Sequence, residues 1–165
     1  MSDSRRVILL LVFGVLSALL ISPRFASAQS PGRDSTWAVL DVTGTINRAI
    51  EESKDGVELR EKVVRRLSEC SLMYGGLSTL TSNADAKKNY VQAQEATMEV
   101  ESAIAKPLQP ARRLELEGAA RNSVALILRT VKAQGDKEVG PLLKSCKALN
   151  DLKEIHSALR ELSRQ

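Results

Sequence analysis

Aromatic residues are nearly missing from this chain: two phenylalanines, two tyrosines and one tryptophan make up 3% of 165 positions. A core built almost without rings must be filled by Leu, Val, Ile, Ala and Met. Histidine occurs once, which excludes any site that takes two imidazoles from one chain. Two cysteines exclude a disulfide-dense scaffold, and neither lies in a C-x-x-C redox pattern or a C-x-x-C-H haem-attachment pattern. Nine glycines and five prolines are too few for a collagen-like or low-complexity chain. Charge of one sign is scarce too, since 24 Lys and Arg against 20 Asp and Glu leave only a formal +4. That is far from the imbalance of a disordered chain. What remains is one domain's length of sequence in which 43% of residues are hydrophobic.

The N-terminal residues carry an export pattern. Asp3, Arg5 and Arg6 precede an uncharged, mostly apolar run of 15 residues, Val7 to Ile21. Ser22-Pro23 breaks the run, and Ala26-Ser27-Ala28 places small residues at both recognition positions, so residues 1–28 read as a signal peptide cleaved after Ala28. The run falls short of the ~20 residues that span a bilayer as a helix, which argues against a retained anchor. Ser4-Arg5-Arg6-Val7-Ile8-Leu9 resembles a twin-arginine export signal, but Ile8 stands in place of phenylalanine and Leu10 in place of lysine. Sec-type export to the periplasm or the medium is expected, with no stable membrane span after cleavage. Losing Arg5, Arg6, Arg24 and Asp3 takes the 24 basic residues to 21 and the 20 acidic residues to 19, a net +2. Phe13 and Phe25 leave as well, so Trp37, Tyr74 and Tyr90 are the aromatics of the mature chain. The basic doublets Arg65-Arg66, Lys87-Lys88 and Arg112-Arg113 are separated and lack interleaved aromatics. No nucleic-acid partner is expected.

Residues 29–42 read as a flexible lead-in and residues 43–165 as the folded domain. An apolar segment turns helical near Thr43 and stops at Asp55-Gly56. Val63, Leu67, Cys70, Tyr74 and Leu77 then recur at alternating spacings of four and three, one face of a helix. Ser82, with Asp85 three residues later, resembles a capping signal for the next helix. That helix carries a small, weak stripe of Tyr90, Ala93, Thr97, Val100 and Ile104. Pro107 and Pro110 bracket a turn before a helix over Ala111 to Gln134, which carries Leu114, Leu116, Ala120, Val124, Ile127, Leu128 and Val131. A last helix starts at Lys137 or Pro141, with Val139, Leu142, Cys146, Leu149, Leu152, Ile155, Leu159 and Leu162 as its stripe. Nothing alternates like a strand. The expected fold is all-α, an up-down-up-down four-helix bundle with a short extra N-terminal helix.

Cys70 and Cys146 both fall on apolar stripes, on the first long helix and the last. In an exported chain they are expected to form a disulfide, which would contribute about 4 kcal/mol through loop closure. A last helix starting at Pro141 lifts Cys146 about 8 Å above Cys70 at 1.5 Å per residue, whereas a start at Lys137 brings the two level. The bridge therefore requires that helix to begin before Pro141. Tyr74, Gly75, Gly76 and Tyr90 form the candidate binding surface, since both tyrosines lie near the first hairpin and a glycine pair permits close approach. His156 sits among Leu152, Ile155 and Leu159. With Met73 or Met98 opposite it would resemble the haem ligation of b-type cytochrome bundles, though a boundary histidine with one solvated nitrogen is the simpler reading.

Carboxylate doublets Glu51/Glu52, Glu99/Glu101 and Glu115/Glu117 point apart on a helix and read as solvated faces rather than a di-metal site. No nucleophile motif or phosphate loop is present. Periplasmic helical stress chaperones share the size and compartment, but Leu80-Thr81-Ser82-Asn83-Ala84 lacks the glutamine of their L-T-x-x-Q signature. Plant-type invertase and pectin-esterase inhibitors are exported bundles with four cysteines against two here. The expectation is an exported, non-enzymatic helical protein that binds a protein partner or serves the envelope structurally, with no cofactor. The alternatives are a haem- or metal-binding bundle using His156 and a small enzyme.

Overall fold

Apolar spacing and helix propensity produce six helices among the described residues, and no strand: α1 (Asp34–Glu52), α2 (Gly56–Leu80), α3 (Ala84–Ala105), α4 (Pro110–Gln134), α5 (Val139–Leu149) and α6 (Ile155–Arg164). The computed structural model describes the backbone of residues 34–134 and 139–165, with side chains over 38–130 and 139–165. The signal peptide expected over 1–28 lies outside the described residues. Helix α1 begins at Asp34, well before Thr43, so most of the segment expected as a lead-in is helical. Val42, the last residue of that segment, is already buried in the core, so the packed face of α1 begins before Thr43.

Helix α2 is the axis of the fold and touches each of the other five. It is therefore buried on several faces rather than along one stripe: Val64 and Met73 join Val63, Leu67, Cys70 and Tyr74 inside. Small polar residues fill the tighter contacts and are satisfied locally. Ser71 and Ser78 donate to the carbonyls of Ser68 and Gly75, at 3.1 and 2.7 Å. Buried Glu69 pairs with Arg65 and Arg66 of its own helix.

The pairs Tyr74–Tyr90, Ser68–Glu101 and Arg60–Ile104 fall in reversed order, so α3 runs antiparallel to α2. Asn83, not Ser82, caps it: its side chain accepts from the Ala86 amide at 3.0 Å. Pro110 occupies the first turn of α4, where its missing N–H costs nothing. Glu61–Arg112 and Gly76–Leu128 keep the same order, so α4 returns parallel to α2. Arg112 grips Glu61 with two hydrogen bonds, at 2.9 and 2.6 Å, and holds Glu61's carboxyl below its usual pKa.

The fourth long helix expected over the C-terminal stretch is replaced by two short ones. Helix α5 begins at Val139, before Pro141, and crosses α2 instead of running along it. Pro141 and Leu142 share a cavity with Ser123 and Ile127 of α4, Cys146 meets Cys70, and Asn150 reaches Thr97 of α3. Helix α6 then turns back beside α1 and α2, with Arg66 donating to Gln165. Buried residues form two clusters, one around Ile46, Leu67, Ile104 and Ile155 and one around Cys70, Met73, Val124 and Leu142. Among the described residues no helix is long and apolar enough to cross a membrane.

Candidate functional site

Helices α1 and α3 enclose the most distinctive concavity. At one end their facing residues are large and fully packed: Ile46 and Ile50 from α1, Val100 and Ile104 from α3. Nearer the start of α1 the described lining residues are the smaller Ala38 and Val39, opposite Ala93 and Ala96. Two helix backbones kept apart by their bulky ends cannot close over small side chains, so unfilled space remains. It is a groove of about 580 Å³, floored by Val42 and Val100 and walled on the α2 side by Tyr74.

Lys147 at the end of α5 and Asn150, Asp151, Leu152 and Lys153 of the segment that follows form the far wall. Asn150 holds this wall in place by donating to the Cys146 carbonyl at 3.0 Å and to the Thr97 hydroxyl at 3.3 Å. Asp151 accepts from the Lys153 amide at 2.9 Å, closing a tight turn. The polar groups thus gather at one side of an otherwise aliphatic trough, the usual chemistry of a ligand pocket.

The tyrosines of the candidate surface do meet: their ring centroids lie 6.4 Å apart with an interplanar angle of 26°. Tyr74 is nearly buried, and burial followed by the neighbouring Tyr90 pushes its hydroxyl above the usual pKa. Gly75 and Gly76 are not at the groove. A Cβ on Gly75 would meet the Gln94 amide at 2.8 Å, and one on Gly76 would meet Leu128 at 2.5 Å, so each glycine lets a neighbouring helix of the same chain approach. Cys70 and Cys146 stand at disulfide distance with Cα atoms 5.5 Å apart, and Cys146 lies four residues before the Asn150 anchor.

His156 is exposed on α6 and lines a separate cavity of about 460 Å³ with Leu59, Arg160 and Ser163. Neither Met73, fully buried in the second cluster, nor exposed Met98 lines that cavity. Among the described residues no three His, Cys, Asp or Glu side chains gather as a metal site. Glu101 corrects the reading of the carboxylate doublets as solvated faces: it is half-buried and accepts from Ser68 at 2.5 Å. Burial pushes its carboxyl above the usual pKa, the Ser68 hydrogen bond opposes this, Glu117 adds to it and Arg113 opposes it.

The groove itself is legible only in part. The weak α3 stripe, with Ala93 where a packed helix would carry leucine, is its one sequence signal; Ala96 lies outside that stripe. Comparison with known proteins adds no relative: no protein-family model, no curated protein and no solved structure matches the chain.

Proposed function

We propose that this protein is an exported binding module that works through the groove between α1 and α3, holding an occupant rather than transforming it. The groove carries this reading, because it combines ligand-sized volume, aliphatic walls and a few polar groups on one side. Export rests on the leader read over residues 1–28, and a disulfide between Cys70 and Cys146 fits an oxidising compartment. The proposal extends to the periplasm or the medium as the location and to a non-catalytic role.

The test uses the exported protein with a photo-reactive residue at Leu152, 45% exposed on the groove wall, or at exposed Arg121 on α4. After irradiation in cells, intact mass measurement is expected to show added mass at Leu152 and none at Arg121. No added mass at either position, or as much at Arg121, overturns the reading.

A further inference from the structure

We propose that the groove's occupant is a long-chain carboxylate, a single alkyl chain ending in an anionic head. This rests on the groove being the binding site.

Wall chemistry argues against an extended peptide. Val39, Val42, Ala93, Ala96 and Val100 offer only hydrocarbon, and their helical backbone groups are already paired. A peptide strand laid there would lose water from its amides and gain no partner, at a cost an alkyl chain does not incur.

The sign of the head group comes from the rim. Lys147 and Lys153 both line the groove, and among the described residues neither is paired with a carboxylate. Among the described residues Asp151 is the one acidic side chain in the lining; one of its oxygens accepts from the Lys153 amide, and its single negative charge stands against the two lysines. Asn150 is engaged by Thr97 and Cys146. Two ammonium groups against one carboxylate leave the described rim net positive over an aliphatic trough, which favours an anion with a hydrocarbon tail.

Calorimetric titration of the exported, oxidised protein with octanoate, decanoate and dodecanoate, and with dodecanol, tests this below micelle-forming concentrations. Affinity is expected to rise about fourfold per methylene that enters the groove. Dodecanoate is expected to bind about fivefold tighter than dodecanol at low salt, a preference lost in Lys147→Gln/Lys153→Gln. Both lysines are exposed, so that double variant leaves the fold intact. Ala96→Leu, which fills the trough, is expected to weaken binding tenfold or more with the helical circular dichroism unchanged. Affinity independent of chain length, or equal for acid and alcohol, overturns the inference. A protein that gains mass at Leu152 yet ignores the carboxylates defeats this inference alone; failure of both defeats the groove reading as well.

Discussion

Gly75 and Gly76 are chemically identical neighbours with opposite surroundings. Each costs α2 about 1 kcal/mol of helix propensity relative to alanine. At Gly75 the added methyl meets the far end of the Gln94 side chain, which can swing towards solvent. At Gly76 it meets both methyls of Leu128, at 2.5 and 3.0 Å, in a side chain packed against the second cluster. Overpacking of that kind costs about 1–3 kcal/mol, which exceeds the propensity gain. Gly75→Ala is therefore expected to stabilise the protein by up to about 1 kcal/mol, and Gly76→Ala to destabilise it by about 1–2 kcal/mol, as measured by urea unfolding. The pair is visible in sequence as a break in helix propensity. Its meaning is not, because Gln94 and Leu128 come from two different helices.

Among the elements, the C-terminal stretch departs furthest from its apolar spacing. Leu149, Leu152 and Ile155 continue the helical period, yet residues 150–154 are not helical. Asn150 and Asp151 decide the outcome. Asn150 bonds the carbonyl of Cys146, which caps α5 from within, and the Asp151 carbonyl accepts from the Glu154 and Ile155 amides at the start of α6. Leu152, part of the expected stripe, is left on the groove wall at the surface. The Asn-Asp pair was readable as a helix-ending signal, but the regular leucine spacing on either side of it masked the break. Similar local chemistry placed the α3 cap one residue later than the Ser82 pattern indicated. Asn150→Ala removes both the cap and the tie to Thr97, and is expected to cost about 1–2 kcal/mol. Hydrogen exchange should quicken over 150–155 and remain unchanged in α4, which Asn150 does not touch.

At the scale of the molecule, an apolar stripe could be read on each helix, but not which helix lies at the centre. A four-helix square gives every helix two neighbours and one buried face, whereas α2 has five neighbours and buries serines, a glutamate and glycine contacts among its aliphatic residues. The all-α class follows from periodicity within each segment; the crossing of α5 over α2 depends on contacts far apart in sequence. Cys70 and Cys146 join two such segments, closing a loop over a separation of 76 residues. That loop contains α3, α4 and most of α5, and leaves α1 and α6 outside it. If the two sulfurs are bonded in the exported protein, opening the bridge frees the unfolded chain by about 4 kcal/mol in the chain-entropy account. For a domain of this size that loss lowers Tm by about 10–20 °C. Cys70→Ala/Cys146→Ala is expected to unfold at the temperature of the reduced parent, and reductant is expected to have no further effect on the variant. Either single variant should match the double, because one missing sulfur opens the same loop. A parent whose melting is indifferent to reductant would mean that packing around Met73 and Leu142, rather than the bridge, fixes α5 against α2.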